Sequence, residues 1–302
     1  MNGKPTADPT AGAPDPTAGG PDPAAPGPGR AQGPTPGTVT VVGLGPGGPP
    51  TCTPEVLAAL RTATDLVGYA PYLAMADAVL AASAPGPDAP ALRHASDNRQ
   101  EADRARHALD LAAAGRRVAV VSSGDPGVFA MAAAVVEQLD VTPDAAARWP
   151  GVEVVVLPGV SAAQAAAARA GAPLGHDFCV ISLSDNLKPW DVVERRLAAA
   201  AEADFVVALY NPTSRHRPWQ LARAAEVLLA HRSPDVPVVL GRDVGRPAES
   251  VRVVSLGDLA AADVDMRTVV IVGSSTTRTL VTPTGTTATY TPRTYPAPTS
   301  TR

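Results

Sequence analysis

A Val-rich run from Arg117 to Val121 stops abruptly at Ser122-Ser123-Gly124-Asp125-Pro126-Gly127, and apolar residues resume at helical spacing from Val128. The pattern reads as a buried strand, a loop with exposed backbone donors and one carboxylate, and then a helix over Val128 to Leu139. That unit is the building block of an open α/β sheet, where ligands sit beside loops at the carboxyl ends of strands. Asp125 in such a loop accepts hydrogen bonds from an amine or hydroxyl and repels a phosphate. The loop therefore suits a zwitterionic ligand better than a nucleotide pyrophosphate.

The same alternation recurs along the chain. Thr38–Val42 predicts a strand leading into Gly43-Leu44-Gly45-Pro46-Gly47-Gly48. Thr53 is placed to cap a helix, with Pro54 at its first position and Glu55 in its first turn. Further strands are expected at Asp65–Gly68, Val152–Leu157, Phe178–Leu183, Phe205–Tyr210, Val236–Leu240, Ser250–Ser255 and Thr268–Val272. Helices are expected at Asn98–Ala114, Ser161–Ala170, Trp190–Ala201 and Pro218–His231. The last two strands are separated by only a short segment around Asp258 and Leu259, so their sheet is expected to be mixed. The Pro158-Gly159 break marks a domain boundary, giving α/β domains over 38–157 and 158–280. Residues 1–37, dominated by Pro, Gly, Ala, Asp and Thr, are expected to be a disordered tail, and so is the Thr- and Pro-rich 281–302.

Composition narrows the function classes. The 302 residues are 45% hydrophobic but only 4% aromatic, so Ala, Val and Leu must fill the core. A net charge of -4 gives no electrostatic case for nucleic acid. The cysteines Cys52 and Cys179 cannot by themselves supply a thiolate cage, and no metal site is expected. No apolar run approaches a membrane span, and no basic segment followed by an apolar one marks a secretory leader, so a soluble cytoplasmic protein is the expectation.

Gly43, Gly45 and Gly48 satisfy the spacing of the dinucleotide fingerprint. Its context does not fit. Pro46 and Pro49-Pro50 delay the helix until Thr53, and the acid expected at the end of the second strand is missing. A nicotinamide-dependent oxidoreductase is thus the weaker reading, alongside a non-catalytic ligand-binding protein with the Pro-rich arm as its interaction segment.

Three loops stand together: Gly43–Gly47, Ser122–Gly127 and Leu157-Pro158-Gly159-Val160-Ser161-Ala162. Their order and spacing resemble the tetrapyrrole methylase family. Ser184–Asp191, Asp204–Pro212, Gly245–Ser250, Thr268–Arg278 and, upstream, His94–Glu101 are similar to the branch that methylates a corrin precursor at C-17 with ring contraction in cobalamin biosynthesis. The resemblance covers roughly 39–278. It implies two α/β domains with mixed sheets, a ligand cleft between them, S-adenosylmethionine as cofactor, a tetrapyrrole substrate and a homodimer. Carried over residue by residue, it places Pro46 at the cofactor, Ser123, Gly124 and Asp125 at its methionine and ribose parts, and Val128 nearby. Ser161, Ala162, Tyr210 and Val244 match further cofactor-contacting positions.

Methyl transfer from an activated donor asks the protein chiefly for alignment, which suits a wall of glycine and backbone donors. If a ring hydroxyl loses its proton during contraction, a base helps, and His94, Asp97 and Asp185 are the candidates, each also readable as an ordinary loop or cap residue. A polycarboxylate substrate calls for cations at the cleft. Arg215 and Arg217 form one cluster and Arg242 and Arg246 another, either of which also reads as a solvated basic loop.

Overall fold

Short Val-rich strands, buried on both faces at the centre of each sheet, dictate the architecture. In the computed structural model, which describes residues 36–83, 90–97 and 100–295, they form two separate five-stranded sheets. The first contains β1 (Thr38–Gly43), β2 (Asp65–Tyr69), β3 (Leu92–Ser96), β4 (Arg117–Ser122) and β5 (Glu153–Leu157). Its order is β3-β2-β4-β1-β5 and every pairing is parallel. Helices α1 (Pro54–Thr62), α2 (Ala70–Ala81), α3 (Glu101–Ala113), α4 (Met131–Val141) and the short α5 (Ala145–Arg148) connect and flank these strands.

Period-two alternation sorts the strand residues between two cores. Val118 and Val120 pack with Ala105, Ala108 and Leu109 of α3 and with Met131 and Val135 of α4. Ala119 and Val121 point the other way, onto Val56 and Leu60 of α1 and Leu73, Ala76 and Val79 of α2. Helix α1 starts as its sequence dictates: the Thr53 side chain accepts a hydrogen bond from Val56 N, with Pro54 and Glu55 in the first turn.

After α6 (Ala162–Ala170) and the two-residue β6 (Gly171–Ala172), the second sheet uses β7 (Phe178–Ser182), β8 (Val206–Tyr210), β9 (Pro237–Arg242), β10 (Ser250–Ser255) and β11 (Thr268–Val272). Its order is β10-β9-β11-β8-β7; β7 and β8 are parallel and the other pairs antiparallel, so this sheet, unlike the first, is mixed. Helices α7 (Trp190–Glu202) and α8 (Gln220–Leu229) cover one face through Val193, Leu197, Leu221 and Leu228. Alanines 163, 166 and 170 of α6 cover the other, against Val206, Ala208, Val239 and Ile271.

Several boundaries differ from expectation. Helix α4 begins at Met131, because the chain is still turning at Phe129, whose φ is 52°. Helix α2 and strand β3 lie where no element was expected. The strand sequence Leu92–Ser96 sits at a sheet edge and lacks apolar alternation, which is the signal that sequence reading depends on. The tail expected over 1–37 lies outside the described residues apart from Pro36 and Gly37, and residues 296–302 lie outside them too.

The largest correction concerns 281–302. Strands β12 (Arg278–Val281) and β13 (Thr287–Tyr290) pair as a hairpin, and β13 adds β6 to make a third sheet. Thr289 and Thr291 are buried, and Thr291 Oγ1 donates to Pro173 O at 2.6 Å and meets Thr277 Oγ1 at 2.8 Å. Threonine is β-branched and brings its own hydrogen-bonding hydroxyl, so a Thr-rich segment can be buried without an apolar pattern. Thr291→Val, which keeps the shape and leaves Pro173 O without its donor, is expected to cost about 1–3 kcal/mol by urea denaturation.

Candidate active site

Strands β4, β1 and β5 are neighbours in the first sheet, so the loops that follow them are forced together. They meet backbone to backbone. A Cβ on Gly43 would lie 2.7 Å from Gly124 O, and one on Gly159 would lie 2.4 Å from the same oxygen. Gly45 and Gly124 exchange backbone hydrogen bonds of 3.1 and 2.8 Å. Asp125 fastens the set: Oδ1 accepts from Gly127 N at 2.8 Å and Oδ2 from Gly159 N at 3.0 Å. Its carboxylate thus orders two of the three loops as well as facing the cavity.

These loops form one wall of a cavity of about 560 Å³, a size typical of small-molecule sites. Pro46, Ser122–Asp125 and Val128–Met131 line it, together with Tyr69 at the end of β2, Pro71 and Tyr72 of α2, and Glu101 and Arg104 of α3. The other wall comes from Ala162, Tyr210, Asn211, Gly241, Asp243, Val244, Arg246 and Met266–Val269. The walls touch where a Cβ on Gly47 would fall 2.2 Å from the Gly245 carbonyl. Arg246 spans the same seam, donating from Nε to Pro46 O at 2.8 Å and from Nη2 to Ser123 Oγ at 3.0 Å.

Strained backbone and incompletely partnered polar atoms occur together in these walls. Phe129, Asn211 and Asp243 all line the cavity and hold φ values of 52°, 52° and 49°, a region costly for residues with side chains. Phe129 is half exposed and stands edge-on to Tyr210, with ring centroids 5.5 Å apart. Ala163 N donates to the Tyr210 hydroxyl at 2.9 Å, and burial raises that phenol's pKa. Ser122 Oγ and Asp243 Oδ2 are buried in the cavity wall without a hydrogen-bond partner among the described residues. Asp243 Oδ2 has only looser ion pairs, at 3.2 Å to Arg267 and 3.5 Å to Arg242. Such atoms are what a ligand's donors satisfy.

The residues singled out for the cofactor, Pro46, Ser123, Gly124, Asp125, Val128, Ala162, Tyr210 and Val244, all line this one cavity. Ser161 does not; it caps α6, its Oγ accepting from Gln164 N while Gln164 Oε1 accepts from Ser161 N. Among the cations singled out for substrate, only Arg246 lines the cavity. Arg215 is exposed outside it. Arg217 is 7% exposed and donates to Asn211 O at 3.1 Å, bracing the loop from behind. Arg242 is held by Asp265, with Nε–Oδ2 at 3.0 Å.

None of the three candidate bases lines the cavity. Asp185 Oδ2 accepts from Gln220 Nε2 at 3.2 Å. The backbone N–H of Asp97 donates to Gln100 Oε1, and its carbonyl accepts from Arg104 Nη2 at 2.6 Å. His94 Nε2 lies 2.9 Å from Asp65 Oδ1, and its Nδ1 lies 3.0 Å from His107 Nε2. Sequence reading missed Tyr72, Phe129, Asp243 and Arg104. For Arg104 a signal existed: it falls at helical spacing with Ala108 and Ala112, a charge within an apolar stripe.

Asp125→Ala is expected to lower stability by about 1.5–3 kcal/mol, since a charged acceptor is removed from two backbone donors. Hydrogen exchange should show selective loss of protection at Gly127 and Gly159. A pH dependence follows from Asp65. Burial alone would raise its pKa, but hydrogen bonds from Arg116, Thr64 and His94 outweigh it and bring it to about 2. Because the folded pKa lies below the unfolded value of about 3.9, this contribution is present above about pH 4 and is lost as pH falls towards about 2. Urea midpoints measured across that window should fall in the wild type and fall less in Asp65→Asn.

Residues 38–260 match the family model for tetrapyrrole (corrin/porphyrin) methylases. A precorrin-3B C(17)-methyltransferase from Sinorhizobium sp is 53% identical over 259 residues, 86% of this chain and 97% of that protein. The cobalamin biosynthesis protein CobIJ of Mycobacterium tuberculosis is 54% identical over 254 residues, 83% of this chain; the chain spans only 47% of that longer relative. Among solved structures, that of the methyltransferase CobJ superposes with a TM-score of 0.74 at 50% identity, covering 85% of this chain and all of the other. The chain belongs to the tetrapyrrole (corrin/porphyrin) methylase family.

Proposed function

We propose that the chain is an S-adenosylmethionine-dependent methyltransferase that methylates precorrin-3B at C-17, with contraction of the macrocycle, in cobalamin biosynthesis. The observation that carries this reading is the convergence of residues from three glycine loops and from Tyr210 and Val244 on one cavity. The likeness to the Sinorhizobium methyltransferase over nearly its whole length points the same way. We further propose that residues 38–157 and 158–280 act as two lobes about this cavity, and that the chain works as a cytoplasmic homodimer.

The cavity fits the cofactor chemically. Glycines leave backbone groups accessible, and Ser122 Oγ and Asp243 Oδ2 offer polar atoms that lack a full hydrogen-bond partner. Asp125, Ser123, Ala162 and Val244 would hold the cofactor, and Tyr210 and Phe129 would pack beside it. When bound, S-adenosylmethionine supplies a methyl group on a positively charged sulfur, already activated for displacement. The protein's part is alignment and exclusion of water. Positioning of this kind is worth up to about 7–11 kcal/mol of barrier. Arg246, clamped by Pro46 and Ser123, holds a fixed positive charge at the seam where a carboxylate-rich macrocycle would lie.

Thermal denaturation with S-adenosylhomocysteine, NAD and NADP tests the cofactor. Only S-adenosylhomocysteine is expected to stabilise the protein, by about 2.7 kcal/mol at a hundred times its dissociation constant. Incubation with S-adenosylmethionine and precorrin-3B should then give a product heavier by one methyl group. Stabilisation by NAD alone would sink the reading. Preference for the cobalt-containing precursor over the metal-free one would move the substrate assignment.

A further inference from the structure

We infer that Arg104 anchors a carboxylate of the macrocyclic ligand, in an arm of the cavity walled by Tyr69, Tyr72 and Met131. The inference rests on the reading of the cavity as a tetrapyrrole site.

Arg104 is only 4% exposed, yet its side chain lines the cavity. Its hydrogen-bond acceptors among the described residues are all neutral. Nε donates to Ser96 Oγ at 2.8 Å, Nη2 to the Asp97 carbonyl at 2.6 Å, and Nη1 to Met131 Sδ at 3.2 Å. A guanidinium has two N–H groups on each terminal nitrogen, so Nη1 and Nη2 each keep one without an acceptor among the described residues. The thioether is a weak acceptor in any case. Glu101 and Asp97 lie near enough to act on its charge, but neither forms an ion pair with it among the described residues. A buried cation is normally paired, because desolvating it alone is costly.

The other arginines of this region differ. Arg267 is paired with Asp243 and Asp265, and Arg242 with Asp265. Arg232, also buried at 6%, donates to three backbone carbonyls and does not line the cavity. Among the described arginines, Arg104 alone combines deep burial, a cavity-facing position and spare donors. Two N–H groups on adjacent terminal nitrogens match the two oxygens of a carboxylate.

The surroundings narrow the ligand further. Tyr69 and Tyr72 meet edge to face at 5.4 Å, and Pro71 and Met131 complete an apolar wall suited to the body of a macrocycle. Glu101, one helical turn before Arg104, also lines the cavity, so its charge opposes an anionic ligand. A single guanidinium facing a nearby acid suits a monoanionic carboxylate better than a phosphate. Two sources share that chemistry: the side chains of the tetrapyrrole and the methionine end of the cofactor. The arm is made from side chains of β2, α2, α3 and α4 rather than from the glycine loops, which favours the tetrapyrrole.

Absorbance-monitored binding of precorrin-3B and calorimetric binding of S-adenosylhomocysteine separate the possibilities. Arg104→Gln is expected to weaken precorrin-3B binding about ten- to a hundredfold and leave S-adenosylhomocysteine affinity unchanged. Arg104→Lys, which keeps the charge and loses the fork, should fall between the two. Glu101→Gln should change binding in the opposite direction, tightening precorrin-3B by about two- to fivefold. That opposite sign is not expected of an arginine that only supports the fold. Unchanged precorrin-3B affinity in both Arg104→Lys and Glu101→Gln overturns the inference, as does loss of S-adenosylhomocysteine binding alone, which would move the carboxylate to the cofactor. A wild-type protein that binds S-adenosylhomocysteine but not precorrin-3B overturns the function proposed above and this inference with it.

Discussion

The cavity depends on three backbone segments approaching more closely than any side chain would permit. Adjacent parallel strands β4, β1 and β5 bring their loops side by side, and Gly43 and Gly159 let the loops touch while Gly124 holds a φ of 70°. A Cβ at Gly43 or Gly159 would collide with carbonyl oxygen or amide nitrogen, atoms that cannot rotate away. Asp125 then converts proximity into order by accepting from Gly127 and Gly159. Backbone donors become a rigid wall, and Pro46 and Ser123 are held where Arg246 reaches them.

The second sheet supplies what such a wall lacks, namely side chains. Tyr210 and Asn211 follow β8, and Asp243, Val244 and Arg246 follow β9. Phe129, Asn211 and Asp243 hold backbone conformations that the surrounding structure must enforce. The enforcement comes from the packed layers: Ala166 of α6 presses so closely on β9 that a Cβ at Gly241 would stand 2.5 Å from it. Ser122 and Asp243, buried and incompletely satisfied, add to the instability tolerated at this place. Strain and unsatisfied polarity at one cavity, amid otherwise well-paired sheets, are consistent with a site shaped for a ligand rather than for stability alone.

Polar groups were the hardest to place from the chain. Arg217 and Arg215 sit two residues apart, yet one is buried beneath its loop and the other is in solvent. His94, a candidate base by composition, pairs with the fully buried Asp65 outside the cavity lining. Threonines near the carboxyl end looked like tail residues and instead form a buried ladder from Thr277 to Thr291. In each case the side chain can be satisfied either by water or by a protein partner, and the local pattern is the same for both.

The alternation of Val-rich runs with helical stripes was enough to specify two α/β sheets, the mixed character of the second, and most of their strands, because apolar periodicity is a local property that burial simply obeys. The glycine loops were equally legible, since glycine and proline constrain the backbone wherever they occur. Only the tertiary structure decided which charges face the cavity. Arg104 and Asp243 reach it because helix α3 and the β9 loop are packed into place by residues distant in sequence. Burial of a charge depends on what surrounds it, and those surroundings exist only once the sheets have assembled.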